Sequence, residues 1–190
     1  MLLAPLRMVD LVLGERRRLA SNVAQEHRLP SLLLVLAAAT AVFALPFGVV
    51  LGPPPLFWRV AALLLGGVAI CVPSLHVFSR YLGARMSWAQ TLSISLAASA
   101  VTALFTAAFA PILAFFRATM SSSAVVTPQA MTVLLLVLAF AAGIGQLFRL
   151  PRADAGLRRI SATLIALLIP WVVLYLFITV RLASVLGLFE

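Results

Sequence analysis

The apolar run MTVLLLVLAFAA, residues 131–142, decides the class of fold. It lies inside a longer stretch, 118–148, that contains no Asp, Glu, Arg or Lys. An α-helix needs about 20 predominantly apolar residues to cross the hydrocarbon core of a bilayer. A membrane β-strand would instead show a shorter segment in which apolar and polar residues alternate. The run therefore predicts a transmembrane helix.

Four further stretches are equally free of formal charge, and the arginines that separate them mark the boundaries. Each stretch is long enough for one membrane-spanning helix and too short for two, because two would need about 40 apolar residues and a turn. The sequence predicts an all-α, polytopic membrane protein in which a segment at 1–28 precedes a five-helix membrane domain at 29–190. The predicted spans lie near 31–52, 58–79, 89–115, 129–148 and 160–181.

Composition argues against catalysis. The chain is 64% hydrophobic and 10% charged, and its mean hydropathy is +1.16. All five acidic residues lie outside the predicted spans, so carboxylate pairs for acid–base chemistry are lacking there. There is no phosphate-binding glycine loop, no Ser/His/Asp constellation and no paired-cysteine motif. We expect no enzymatic activity, no cofactor and no metal. The acidic residues are Asp10, Glu15, Glu26, Asp154 and Glu190.

All fourteen basic residues are arginines, and their distribution predicts the orientation of the chain. With the N-terminus in the cytoplasm, eleven arginines fall in inner segments and only Arg59, Arg117 and Arg181 in outer ones. The positive-inside rule therefore predicts a cytoplasmic N-terminus and an extracytoplasmic C-terminus. This bias also accounts for the net charge of +9 without a nucleic-acid partner. Arginine without lysine in an Ala/Leu/Val-rich chain favours a bacterial inner-membrane protein.

The segment at 1–28 has the pattern of a basic amphipathic helix on the cytoplasmic side. Leu2, Leu6, Val9 and Leu13 recur at helical spacing, as in helices that lie in the interface of an anionic leaflet. The expected partners of this segment are anionic lipid headgroups or, alternatively, a cytoplasmic protein. Its candidate contact residues are Arg7, Arg16, Arg17 and Arg18.

The third span carries a stripe of hydroxyl side chains at intervals of three or four residues. Such a stripe either packs against another helix or lines a narrow wet path. Small residues spaced four apart, such as Ala37 with Ala41 and Ala141 with Gly145, offer surfaces that could accept it. The stripe, called the hydroxyl stripe below, consists of Thr91, Ser95, Ser99, Thr102 and Thr106.

The end of the second span holds the candidate polar residues Ser74 and His76 next to Pro73. An ionisable side chain within a span is a functional candidate. However, His76 lies about one helical turn from Arg80, near the interface, where water or a backbone group can bind it. A hydrogen-bonded histidine is therefore the first interpretation, and proton transfer or metal binding is the alternative.

The junction between the second and third spans, residues 78–92, reads FSRYLGARMSWAQTL. It resembles the Yip family of five-span membrane proteins, in which a Leu-Gly-Gly-basic stretch is followed by a small or hydroxyl residue, an aromatic residue and a Gln. Ala84 replaces the second glycine, and the Gly-Tyr-Ala element of the third helix is absent. The matching residues are Leu82, Gly83, Arg85, Ser87, Trp88 and Gln90.

The resemblance implies five spans, a cytoplasmic N-terminus and, for bacterial members, a role as a scaffold or accessory subunit rather than an enzyme. Our leading hypothesis is thus a non-catalytic scaffold or assembly subunit that binds other membrane protein subunits. The alternative is a small transporter or channel component, a substrate-binding membrane subunit, that uses the hydroxyl stripe and helix kinks at Pro73 and Pro170.

Overall fold

The computed structural model describes residues 29–52, 58–81, 87–119, 127–153 and 161–188. The amphipathic helix predicted within 1–28, with Arg7, Arg16, Arg17 and Arg18, lies outside these ranges. So do all five acidic residues.

The described residues form five helices and contain no strand, which confirms the all-α class. All five are long and apolar enough to cross a membrane, so the chain is a membrane protein. Four of the helices continue through a proline well inside their length, at Pro46, Pro73, Pro111 and Pro170, and α4 passes Pro151 near its C-terminal end. The helices are α1 (Leu29–Leu51), α2 (Arg59–Tyr81), α3 (Trp88–Thr119), α4 (Pro128–Ala153) and α5 (Ser161–Val185).

Four helices extend beyond the C-terminal ends of their predicted spans. Helix α2 continues through Arg80 to Tyr81, α3 through Arg117 to Thr119, α4 through Arg149 to Ala153, and α5 beyond Arg181 to Val185. A charged residue ends the apolar stretch that can lie in hydrocarbon, but arginine is a good helix former and does not end the helix. Gaps between charges therefore predict the length of a span better than the length of its helix.

Helix α3 occupies the centre of the bundle. It packs most extensively against α1 and α4 and also contacts α2, whereas α5 is held mainly by α2. Helices α4 and α5 contact each other least of these pairs. Alanine, serine and threonine dominate the buried face of α3, and such small side chains let neighbouring helix backbones approach closely.

Consecutive helices run in alternating directions. Leu51 at the end of α1, Arg59 at the start of α2, Arg117 near the end of α3 and Pro128 at the start of α4 line one cavity, together with Gly187 after α5. We call this the Arg59 end. At the opposite, His76 end, the last turns of α2 meet the first turn of α3. Large apolar side chains such as Leu34, Val77 and Phe177 are exposed on the outside of the bundle, as expected of a surface that faces lipid.

Candidate functional site

The hydroxyl stripe is fully buried in the described structure. None of its five side chains is more than 2% exposed. Ser93, which is not part of the stripe, is also buried. Because α3 is the central helix, the stripe lies between helices rather than on an open surface.

Four of the five stripe hydroxyls donate hydrogen bonds to carbonyl oxygens of their own helix. Thr91 donates to Ser87 and Thr102 donates to Ala98, each at 3.1 Å. Ser95 likewise donates to the carbonyl of Thr91 at 3.1 Å, and Thr106 donates to Ala103 at 2.7 Å. A hydroxyl has one proton to donate. These four groups therefore have no donor left for a solute.

Ser99, in the middle of the stripe, differs from the other four. Its Oγ is buried and has no hydrogen-bond partner in the part of the chain that the structure describes. A buried hydroxyl without a partner costs about 1–3 kcal/mol relative to one in water. Ser99 is therefore the one stripe residue whose hydroxyl makes no hydrogen bond to its own helix.

Replacing stripe hydroxyls singly by alanine should separate Ser99 from its neighbours. Ser95→Ala and Thr102→Ala should change the free energy of unfolding by no more than about 0.6 kcal/mol, because even hydrogen bonds between helices average only about that value in a membrane protein and these hydroxyls bond to their own helix. Ser99→Ala should leave it unchanged or raise it by up to about 1 kcal/mol, because an unpaired buried oxygen is removed. Unfolding by SDS titration in detergent micelles, followed by circular dichroism, measures these differences. If Ser99→Ala lowered the free energy of unfolding more than Ser95→Ala, the prediction would be wrong, because the Ser99 hydroxyl would then have a hydrogen-bond partner.

Gly143 of α4 packs directly on the stripe. A Cβ atom at this position would overlap Thr102 Oγ1 and would lie 2.7 Å from the carbonyl oxygen of Ala98. Only a glycine lets the two backbones come this close. The contact closes the stripe against α4 at this level.

The prediction that Ala141 and Gly145 form the small surface of α4 is wrong. Ala141 is exposed, and a Cβ on Gly145 would meet nothing within 4 Å. The buried small residues are instead Ala139 and Gly143. Two residues along a helix turn the side chain by about 200°, so the two pairs lie on opposite faces. Thr132 and Gln146, both buried, share the face of Gly143, and these polar side chains are the signal that could have identified it.

His76 contacts the first turn of α3. Its Nδ1 lies 3.4 Å from Thr91 Oγ1, and its ring meets Trp88 edge-on with 4.8 Å between centroids. Thr91 already donates its hydroxyl proton to the carbonyl of Ser87. The Thr91 oxygen can therefore accept a hydrogen bond from His76 in the tautomer that carries its proton on Nδ1.

Two of the residues that match the Yip pattern cap the start of α3. The backbone N–H of Ser87 donates to Gln90 Oε1 at 2.9 Å, and the N–H of Gln90 donates to Ser87 Oγ at 3.2 Å. This reciprocal pair is a capping box, which satisfies two amide donors that a helix start leaves without acceptors. Together with the Trp88–His76 contact, it gives Ser87, Trp88 and Gln90 a structural role at the start of α3. The other matching residues, Leu82, Gly83 and Arg85, lie outside the described ranges.

Ser74 belongs to a polar contact between α2 and α5 that the sequence does not indicate. The carbonyl oxygen of Cys71 accepts a hydrogen bond from Ser74 Oγ at 2.7 Å and another from Trp171 Nε1 at 2.9 Å. The Trp171 ring stacks on Tyr175 with centroids 5.3 Å apart. Next to it, a Cβ on Gly67 would lie 3.2 Å from the Tyr175 ring. This cluster holds α5 against α2.

Within the described ranges, no group of three or more His, Cys, Asp or Glu side chains is placed to hold a metal ion. No protein-family model, curated protein or solved structure matches the chain. A functional proposal for this chain therefore rests on the arrangement of the described residues.

Proposed function

We propose that this chain is a non-catalytic scaffold or accessory subunit of a larger membrane protein complex. The contact of Gly143 with Thr102 and Ala98 carries the proposal, because it closes the hydroxyl stripe, which is the path that the transporter hypothesis would need. A transport path needs polar groups that face an open space. Here four of the five stripe hydroxyls are bonded to their own helix.

A cleft between α4 and α5 supplies a surface for a partner. A cavity of about 240 Å³ opens there, with Val133, Val137 and Ile144 on one wall and Leu176 and Val180 on the other. Its wall on α4 follows the helix axis for about 16 Å, at 1.5 Å per residue. The apolar walls suit side chains that project from a transmembrane helix of another subunit, which would complete the poor contact between α4 and α5.

The setting of the proposal is the bacterial inner membrane, with the N-terminus in the cytoplasm and the C-terminus outside. The support is the eleven-to-three bias of the arginines and the alternating direction of the helices. The basic segment at 1–28 would then bind anionic headgroups or a cytoplasmic partner. The resemblance of residues 78–92 to the Yip family also supports the proposal, because it implies a scaffold or accessory role.

Photo-crosslinking tests where a partner binds. A photoreactive amino acid at Val137, which is 58% exposed and lines the cleft, should crosslink to a single protein in intact membranes. The matched control is Val49, which is 63% exposed on α1 and does not line the cleft. Lipid adducts alone at both positions would contradict the subunit hypothesis.

The transporter hypothesis retains one supporting observation, the unpartnered oxygen of Ser99. Cysteine labelling separates the two hypotheses. In a Cys71→Ala background, a cysteine replacing Ser99 should react with a water-soluble maleimide at least about tenfold more slowly than one replacing Gln129, which is exposed at the Arg59 end. We expect the slower reaction at position 99 because α4 excludes water from the stripe. Rapid labelling at position 99, slowed by one particular solute, would replace the scaffold proposal by transport.

A further inference from the structure

Arg59 and Arg117 are far apart in the sequence but line the same cavity at the Arg59 end of the bundle. The cavity has a volume of about 240 Å³. Gln129 and Thr132 of α4 add polar side chains to its wall, and Leu51 and Gly187 border it at the ends of α1 and α5. Two of the three arginines that the sequence predicts on this side of the membrane therefore meet at one site.

Each guanidinium is held in place by a helix-end carbonyl. Arg117 Nη1 donates to the carbonyl oxygen of Leu51 at 2.8 Å, and Arg59 Nη1 donates to that of Gly187 at 3.2 Å. A guanidinium has five N–H donors in a planar fork. One bond each leaves most of these donors unused, while it limits the freedom of both side chains before any ligand arrives.

The positive charge of this site is not neutralised by the described residues. None of the five acidic residues lies within the described ranges, so no described carboxylate pairs with either arginine. A cavity with two preorganised guanidinium groups and no described carboxylate is suited to an anion with two or more oxygens.

We propose that Arg59 and Arg117 together bind a phosphate group at this end of the bundle. Each fork would bind one of the two non-bridging oxygens of a phosphodiester or one edge of a free phosphate ion. The group comes from an anionic phospholipid headgroup or from a soluble phosphate, which share this chemistry. Arg59 is the first residue of a membrane-spanning helix, so the site lies near the depth at which lipid phosphates are found.

The test uses the full chain in detergent, with one measurement for each source. Native mass spectrometry scores retention of phosphatidylglycerol, and isothermal titration scores binding of inorganic phosphate. Arg117→Gln and Arg59→Gln should each weaken the bound anion about tenfold or more, as expected for the loss of a charge-assisted hydrogen bond. Arg181→Gln is the matched control, because Arg181 is exposed on α5 and does not line the cavity. The Arg181→Gln variant should bind the anion as tightly as the unchanged chain does.

Two further variants keep the result interpretable. Arg117→Lys retains the charge but not the fork, and it should lose several-fold in affinity even if Arg59→Gln fails to fold. Glu190→Gln tests the chain's own carboxylate, since Glu190 follows Leu188 of the cavity wall by two residues in the sequence. Unchanged binding in this variant supports an external anion. Binding that appears only in Glu190→Gln would overturn the proposal, as would equal losses in Arg181→Gln and Arg117→Gln or no binding of either probe.

Discussion

Replacing Gly143 by alanine should destabilise the folded protein by about 1–3 kcal/mol, the range for added atoms in a well-packed interior. The added Cβ would overlap Thr102 Oγ1 and press on the carbonyl oxygen of Ala98. A backbone carbonyl cannot rotate away as a side chain can, so α3 and α4 must separate. Gly143→Leu should go further and prevent accumulation of folded protein. SDS unfolding followed by circular dichroism measures the first effect, and size-exclusion chromatography in detergent measures the second.

Gly145→Ala is the matched control on the same helix. Nothing lies within 4 Å of a Cβ at Gly145, and alanine is a better helix former than glycine by up to about 1 kcal/mol. The two substitutions should therefore have opposite signs. Equal effects at positions 143 and 145 would contradict the close approach of α3 and α4, and with it the closed stripe on which the scaffold proposal rests.

The number and position of the spans could be predicted from the sequence because charge is expensive in hydrocarbon. Gaps between arginines fall where the five helices lie. Burial of the hydroxyl stripe has a similar cause, since polar side chains in an apolar helix turn away from lipid. In both cases the informative residues stand out in the sequence by their chemistry.

The facing of α4 could not be predicted from small-residue spacing alone. Ala139 with Gly143 and Ala141 with Gly145 have the same spacing, and only the neighbouring helix decides which pair is buried. The polar residues Thr132 and Gln146 break the tie. Thr132 lies seven residues before Ala139, and Gln146 lies three residues after Gly143, so all four residues share one face of the helix.

The contact between α2 and α5 lay beyond sequence reasoning for a different reason. Its acceptor is the main-chain carbonyl of Cys71, and a carbonyl is present at every residue. Likewise, the topology places Arg59 and Arg117 on the same side of the membrane, but their convergence on one cavity depends on how the helix ends pack. Long-range pairs of this kind follow from packing rather than from spacing.

Replacing Trp171 by alanine should release α5 from the bundle. The side chain is 3% exposed, stacks on Tyr175 and donates its indole N–H to the carbonyl of Cys71. Truncating a buried tryptophan costs about 3–5 kcal/mol in water-soluble cores. We expect the lower part of that range, because a side chain that leaves the bundle enters lipid rather than water. Since α5 is held mainly by α2, the substitution should weaken mainly the interface between α2 and α5.

The native thiol reports this release directly. Cys71 is the only cysteine in the chain and is 1% exposed, so it should react slowly with membrane-permeant N-ethylmaleimide. In Trp171→Ala, assayed in detergent micelles that water enters, its labelling rate should rise by about tenfold or more, because release of α5 would let water reach the thiol and the reactive thiolate form. Trp171→Phe keeps a ring for stacking but not the N–H, and should cost only about 1 kcal/mol with little change in labelling. Trp58→Ala, at a tryptophan that is 47% exposed, should leave both quantities unchanged. If labelling of Cys71 rose as much in Trp58→Ala as in Trp171→Ala, the thiol would be reporting general loosening of the bundle rather than the loss of the α2–α5 contact.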